Sequence, residues 1–272
     1  LSEMDSKGRE FSDVLTEAQE KGYAEADPTF DVEGIDAAHK LVIMASLAFA
    51  IPLDSSTVFT DGITKLDPQD VANARELGYA VKHLGIARQT DKGIELRVHP
   101  TLVPKSCLIA GVDDVQNAVM VNGDAVGTTL FYGPGAGAAP TASSVVADII
   151  DVARVMNNDP QSWVPALGVP TNAVTARTIL DIQEIETSFY MRFSALDRPG
   201  VLSTVTGIMA NAGISIEAIS QKEQPATEEY VDVIILTNIT HEKSLDAAVK
   251  YIEQLETVRG QVSFIRVEHL DQ

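Results

Sequence analysis

The sequence predicts an α+β chain, an antiparallel sheet backed by helices and followed by a separate βαββαβ unit. Three observations predict it. From Leu41 to Ala50 the residues are almost wholly apolar, and behind a breaker at Gly34 the run from Ile35 to Phe49 reads as a buried helix. Between Ile86 and Phe131, short β-rich segments are separated by turn residues, among them Asp91-Lys92-Gly93 and Asn122-Gly123-Asp124, the latter a hairpin signal. From Glu186 onward, strand-like and helix-like stretches follow one another in the order βαββαβ, which places two helices on one face of a sheet.

Taken in order, residues 1–21 read as one helix around Phe11, Val14, Leu15 and Ala18, a 3–4 spacing. The run over Ile35 to Phe49 is too short to span a bilayer, which takes about 20 apolar residues. Being apolar on nearly every face, it is expected to be buried. Ile51-Pro52-Leu53 ends it. Gly62-Ile63-Thr64 is strand-like. Asp67 is an N-cap with Pro68 at the first helical position, and Val71, Ala74, Leu77 and Val81 recur at helical spacing beyond it. His83 and His99 are isolated and read as surface or packing residues rather than ligands. The β-rich segments form an antiparallel sheet backed by the two helices, whose free face suits contact between subunits.

The stretch Tyr132-Gly133-Pro134-Gly135-Ala136-Gly137 precedes a helix expected from near Thr141 to Met156. Bare backbone before a helix N-terminus is an anion site, because free N–H groups and the dipole point outward; the alternative is a tight strand-to-helix loop. Residues 158–183 carry prolines and polar turns and read as a loosely ordered linker, with Trp163 packed on a neighbour. The expected domains are therefore 1–157, in which 133–157 is the glycine loop and its helix, then the linker 158–183, then 184–272.

Composition bounds the function. The formal net charge is -19, with 39 acidic against 20 basic residues, and the pI is near 4.5. Nucleic acid needs clustered Lys and Arg, and anionic membranes attract basic segments; both are argued against. The single cysteine, Cys107, cannot form an intrachain disulfide, which fits a reducing cytoplasm. No Cys/His cluster suggests a metal, and no signal peptide or membrane-spanning run is visible.

Asp36 and Lys40 are four residues apart, one turn on one helix face. One reading is an ion pair at the surface. The other is a cleft in which Lys40 gives or takes a proton, oriented by Asp36, while Glu25 and Asp31 on the acidic, turn-rich segment before it hold a cationic substrate group.

The pattern Gly-Tyr-x-Glu-x-Asp-Pro followed by Asp-x-x-Gly-x-Asp-x-x-x-Lys, over residues 22–40, resembles the substrate site of homoserine dehydrogenases. The resemblance extends from residue 1 to 272. It implies that Lys40 is the proton donor and acceptor for the hydroxyl or carbonyl, that Asp36 assists it, that Glu25 binds the substrate amino group and that Asp31 is a further substrate contact. It implies NAD or NADP as the hydride carrier, with Gly133, Gly135, Ala136 and Gly137 in the loop that closes on the nicotinamide. The reaction implied is the interconversion of aspartate 4-semialdehyde and homoserine. Members of the family carry a nucleotide-binding domain before the region seen here. The chain, which begins with Leu1 and has no G-x-G-x-x-G after a strand, is expected to lack most of it and to be inactive alone. The helix after the glycine loop would then expose Val145, Val146, Ile149, Ile150 and Val152. The Asp197-Arg198-Pro199-Gly200 turn and the Asn211-Ala212-Gly213-Ile214 junction resemble an ACT domain, a ferredoxin-like module that senses amino acids. That resemblance implies a small effector such as threonine, bound by Asp197, Arg198, Gly200, Asn211, Gly213 and Ile214 against a neighbouring subunit, in a homodimer or homotetramer. The rival reading is a non-catalytic amino-acid-binding module on a dimer scaffold.

Overall fold

The computed structural model describes residues 1–20, 26–135, 137–156, 159, 163–222 and 228–270. At the N-terminus the chain breaks at Gly8, so the expected single helix is two: α1 (Ser2–Lys7) and α2 (Phe11–Glu20). A short α3 (Thr29–Val32) leads into α4 (Ile35–Phe49), which has the predicted bounds. A pair of residues, β1 (Phe59–Thr60), forms the next strand, while Gly62-Ile63-Thr64, expected as a strand, bends away. The next helix, α5 (Pro68–Glu76), starts as predicted, with the Asp67 side chain accepting from the Gln69 N–H at 2.8 Å. It stops earlier than the spacing suggested. Gly78 turns the chain at φ 87°, and Val81 belongs to the strand that follows.

The scaffold of the first region is a long hairpin, β2 (Tyr79–Gln89) with β3 (Ile94–Pro104), closed where Thr90 donates its N–H to the Gly93 carbonyl at 2.8 Å. Strand alternation divides β3 into two faces. Ile94, Leu96 and Val98 pack under Ala38, Leu41, Val42 and Ala45 of α4. Leu102, with Val81, packs under Val71 and Ala74 of α5. Glu95, Arg97, His99 and Thr101 turn the other way and form a buried polar layer. Strand β1 adds to β3 in parallel, Phe59 opposite Arg97.

Among the described residues, strands β4 (Gln116–Gly123) and β5 (Gly127–Pro134) pair only with each other, so the hairpins do not merge into the one sheet expected for this region. Asn122 and Gly123 belong to the strand, and the turn is Asp124-Ala125-Val126, between Gly123 and Gly127. Next comes α6 (Ala138–Val155), starting three residues before Thr141, with no buried residue; Val145, Val146, Ile149, Ile150 and Val152 are exposed, as expected. The end of the expected linker is not loose. Thr175 donates to the Ala50 carbonyl, and Thr178 and Leu180 bracket Ile94 through backbone hydrogen bonds, tying this stretch to the start of β3. Trp163 is half-exposed rather than packed.

The last region has the predicted order: β6 (Glu186–Leu196), α7 (Val201–Asn211), β7 (Ile216–Gln221), β8 (Tyr230–Thr237), a two-residue β9 (Thr240–His241), α8 (Glu242–Ile252) and β10 (Val258–Val267). Its strands lie in the order β10-β6-β8-β7, all antiparallel. One face, with Phe189, Met191, Phe193, Val233 and Ile235, is covered by α7 and α8 through Val205, Met209, Leu245 and Ile252.

The other face is covered too. Tyr190, Ile234, Leu236, Ile265 and Val267 share a core with Met4 of α1, Val71 and Ala74 of α5, and Leu102 of β3. Strand β10 also pairs in parallel with β3, Arg266 opposite Thr101 and Val267 opposite Leu102. One sheet thus runs from the first hairpin through the βαββαβ unit. Within the shared core Asp70, almost fully buried, accepts from the Tyr190 hydroxyl at 2.8 Å, Arg192 Nε at 2.5 Å and the Ser263 hydroxyl at 2.6 Å. Burial and the facing carboxylate push the Tyr190 phenol well above its usual range, so it stays a donor.

Candidate functional site

The N-terminus of α4 is fixed from three sides. Gly34 caps it at φ 80°, and a side chain there would meet Val98 Cγ1 at 2.9 Å and the His83 ring at 3.0 Å. Only glycine permits both that conformation and that approach. The Ile63 N–H donates to the Val32 carbonyl at 2.9 Å, and the Thr64 hydroxyl donates to Glu33 Oε1 at 2.9 Å. Phe30 of α3 meets the His39 ring edge-on, 5.4 Å between centroids.

The buried stripe of α4, Ala38, Leu41, Val42 and Ala45, recurs every three or four residues. Asp36 and Lys40 fall outside it. Lys40 Nζ donates to Asp36 Oδ2 at 2.6 Å, and their side chains are 67% and 39% exposed. Exposed i,i+4 pairs contribute little to stability, so the fold does not depend on this one. What it provides is an ammonium group aimed by a carboxylate at the start of a rigid helix, open to an incoming molecule. Farther along, Ile43, Met44 and Leu47 are also exposed, which corrects the expectation that α4 is buried on nearly every side. Asp31 is exposed on α3, whose backbone packs onto the start of α4. Glu25 lies outside the described residues.

The glycine stretch is placed differently from its expected form. Gly133 is still within β5, opposite Asn117. Gly135 follows the strand, Ala136 lies outside the described residues, and Gly137 caps α6 at φ 124°. No side chain caps that helix, so the backbone N–H groups of its first turn remain available. Among the described residues, no hydrogen bond or ion pair joins this stretch to Asp36 or Lys40.

The stretches expected to bind an effector sit at opposite ends of α7. Gly200 caps its start and Asn211 is its last residue, so about 16 Å of helix separates them. Asp197 accepts from Gln221 Nε2 at 3.2 Å, and Arg198 lies 4.0 Å from Glu229. Gly213 follows the helix, and Ile214 is buried with its N–H on the Met209 carbonyl. Within one chain these residues do not line a common pocket.

His83, read from the sequence as a surface or packing residue, packs against Gly34. Its Nε2 lies 3.1 Å from the Asp61 carbonyl, which can only accept, so Nε2 carries the proton. Burial pushes this imidazole below its usual range. The only signal in the sequence was a histidine on a strand, which periodicity alone cannot separate from any packed residue.

The fold and the pair together define a class: an α+β unit presenting an exposed Lys–Asp pair, fused through a continuous sheet to a ferredoxin-like unit. The family model described as homoserine dehydrogenase matches residues 1–150, and that described as ACT domain matches residues 189–257. The homoserine dehydrogenase of Pseudomonas aeruginosa is 55% identical over 271 residues, 100% of this chain and 62% of that protein. That of Neisseria gonorrhoeae is 52% identical over 99% of this chain and 62% of its own length. The crystal structure of a homoserine dehydrogenase from Thiobacillus denitrificans matches at a TM-score of 0.92 and 53% identity, over 98% of this chain and 60% of that one. The chain belongs to the homoserine dehydrogenase family. It spans about three fifths of the length of these relatives.

Proposed function

We propose that the intact protein interconverts L-aspartate 4-semialdehyde and L-homoserine with NAD or NADP, as an oxidoreductase of amino-acid biosynthesis. Family membership supports the reaction. The observation that carries its assignment to residues is the Lys40–Asp36 pair, 2.6 Å apart on the open side of α4.

In this reading Lys40 Nζ donates a proton to the oxygen of the semialdehyde carbonyl as it becomes a hydroxyl, and accepts it in reverse. Asp36, accepting from Nζ, keeps the amine aimed. Glu25 and Asp31 hold the substrate ammonium, a task suited to the strongly acidic chain. The cofactor, when bound, supplies or takes the hydride. The described residues suit one end of it. Uncapped N–H groups of α6 and the bare backbone at Gly133, Gly135 and Gly137, with Ala136 between, would hold the nicotinamide end. They do not form a whole dinucleotide cradle, because the parallel pairings here, β1 with β3 and β10 with β3, are two residues each rather than an open parallel sheet.

Reduced-cofactor absorbance with homoserine and either nicotinamide cofactor tests the reading on the intact protein. No turnover with either would overturn it. Glu25→Gln is expected to raise the Michaelis constant for homoserine more than it lowers kcat, since an interaction common to ground and transition states is lost. An unchanged constant removes Glu25 from the site.

We further propose that the ACT domain takes a small amino acid, threonine first among them, between Asp197, Arg198 and Gly200 of one subunit and Asn211, Gly213 and Ile214 of another, in a homodimer or homotetramer. The 16 Å scale of α7 supports an arrangement between subunits rather than within one. Calorimetric titration of the 272-residue chain is expected to show threonine binding that Asp197→Ala removes; absence of heat with every proteinogenic amino acid would leave the domain architectural. No helix among the described residues is long and apolar enough to cross a membrane. With its single cysteine, we place the protein in the cytoplasm and assign it neither nucleic-acid nor membrane partners.

A further inference from the structure

We propose that Arg266, on the ACT strand that joins β3, is a positioning residue for the Asp36–Lys40 pair. The proposal rests on the proton-transfer role given to that pair above.

Arg266 is buried at the seam between the two regions. One edge of its guanidinium is held by Glu242, the first residue of α8, also buried. Nε donates to Glu242 Oε2 at 2.8 Å, and Nη2 to Oε1. The rest faces the first region. Its carbon lies 5.1 Å from the centre of the Phe59 ring, and Nη1 is 3.9 Å from Asp61 Oδ2. A planar fork can meet two partners on different elements at once.

Phe59 and Asp61 begin the segment that clasps the start of α4. The Asp61 N–H donates to the Val98 carbonyl at 2.8 Å, and its own carbonyl accepts from His83, whose ring fills the space against Gly34. Two residues on, Ile63 and Thr64 hold Val32 and Glu33. Each residue from 32 to 34 is therefore held by the 61–64 segment or by His83, and Asp36 lies half a turn beyond. Arg266 is the ACT residue that reaches this segment by charge and by ring contact. The path is contiguous, from Glu242 through Arg266, Phe59 and Asp61 to His83 and Gly34.

Three variants of the intact protein test it. Arg266→Met alone would strand the buried Glu242 carboxylate, so it is paired with Glu242→Met, which removes both charges together. Asp61→Asn cuts the link from the other end at a partly exposed side chain. Arg266→Lys keeps a charge for Glu242 but loses the fork. The Met pair is expected to lower kcat by about 10–100-fold, the scale of a misplaced catalytic group, with Michaelis constants little changed. Asp61→Asn is expected to lower kcat less and to add nothing to the Met pair. Arg266→Lys is expected to fall between. Amide exchange over residues 32–38 is expected to quicken, while exchange in β6 and β8 does not. Normal kcat and normal exchange at 32–38 in a folded Met pair would overturn the proposal. Quickened exchange throughout the chain would do so too, since it marks a general loss of stability. The exchange readout needs no activity. If Lys40→Ala leaves turnover intact, the proton-transfer reading fails, while exchange at 32–38 still decides whether Arg266 holds that segment.

Discussion

Lys40→Ala is expected to lower kcat of the intact protein by about 10²–10⁴-fold, the usual contribution of a positioned general acid and base. The Michaelis constant for homoserine should change far less, because in the proposed reading carboxylates, not Lys40, hold the substrate ammonium. The thermal midpoint should barely move. Lys40 and Asp36 are open to solvent, and such pairs contribute little to folding. That combination is what separates a working lysine from a surface ion pair. Lys40→Arg should not rescue, since a guanidinium does not release its proton in the working range. Steady-state kinetics on a purified variant of normal thermal midpoint decides the matter. Near-normal turnover would return the pair to the role of an ordinary surface contact.

Arg97→Met is expected to destabilise the fold by about 3–5 kcal/mol, the scale of breaking a buried charge network by removing one partner. Arg97 is almost fully buried on β3. It donates to Glu95 at 2.9 Å, to Glu268 at 2.6 Å and to His99 Nε2 at 2.9 Å. His99 then donates Nδ1–H to the Pro100 carbonyl at 3.0 Å, and burial together with the charges of Arg266 and Arg97 holds it well below its usual range, neutral. Burial alone would raise the Glu268 carboxyl. Arg97 and Arg88 outweigh it and hold Glu268 below the usual carboxylate range. A carboxyl lowered on folding stabilises above its unfolded pKa, and that contribution fades as pH falls through the lower folded value. Methionine removes the Arg97 share of that lowering and leaves Arg88, so Glu268 takes up a proton more readily to relieve its burial. The gap in thermal midpoint between parent and variant should therefore be widest near neutrality and narrow in acid. A urea-unfolding difference within about 0.5 kcal/mol, the range of a neutral surface change, would show that the cluster does not hold the hairpin to the end of β10.

Much of this fold was legible because it is written locally. Gly34, Asp36 and the apolar run specify α4 to the residue, and Asp67-Pro68 specifies the start of α5. The βαββαβ order follows from alternating periods. The exposure of Ile43, Met44 and Leu47 was not legible, since an apolar side chain looks the same in a sequence whether covered or bare. The end of α5 was misread because Val81 continues a 3–4 spacing that Gly78 has already broken. The shared core was hidden by distance along the chain: Met4, Val71 and Tyr190 meet only through tertiary structure. Its trace was Phe189-Tyr190-Met191 on β6, apolar on both faces where a strand covered on one side alternates with polar residues. In the candidate site, the Asp36–Lys40 spacing was visible. The supports around it, His83, Asp61 and Arg266, come from three separated stretches and carry no motif.

The doubly covered ACT sheet restricts how this chain can vary over generations. A regulatory unit with one bare face can be traded between genes, because its own helices complete its core. Here Tyr190, Ile234, Leu236, Ile265 and Val267 pack against Met4, Val71, Ala74, Val81 and Leu102. A transplanted unit would have to bring those residues, or suitable replacements, from a part of the gene far upstream. Changes are thus freest on the exposed loops at the ends of α7, and most constrained on the sheet. Inheritance of the two regions is tied together by packing rather than by the peptide that joins them.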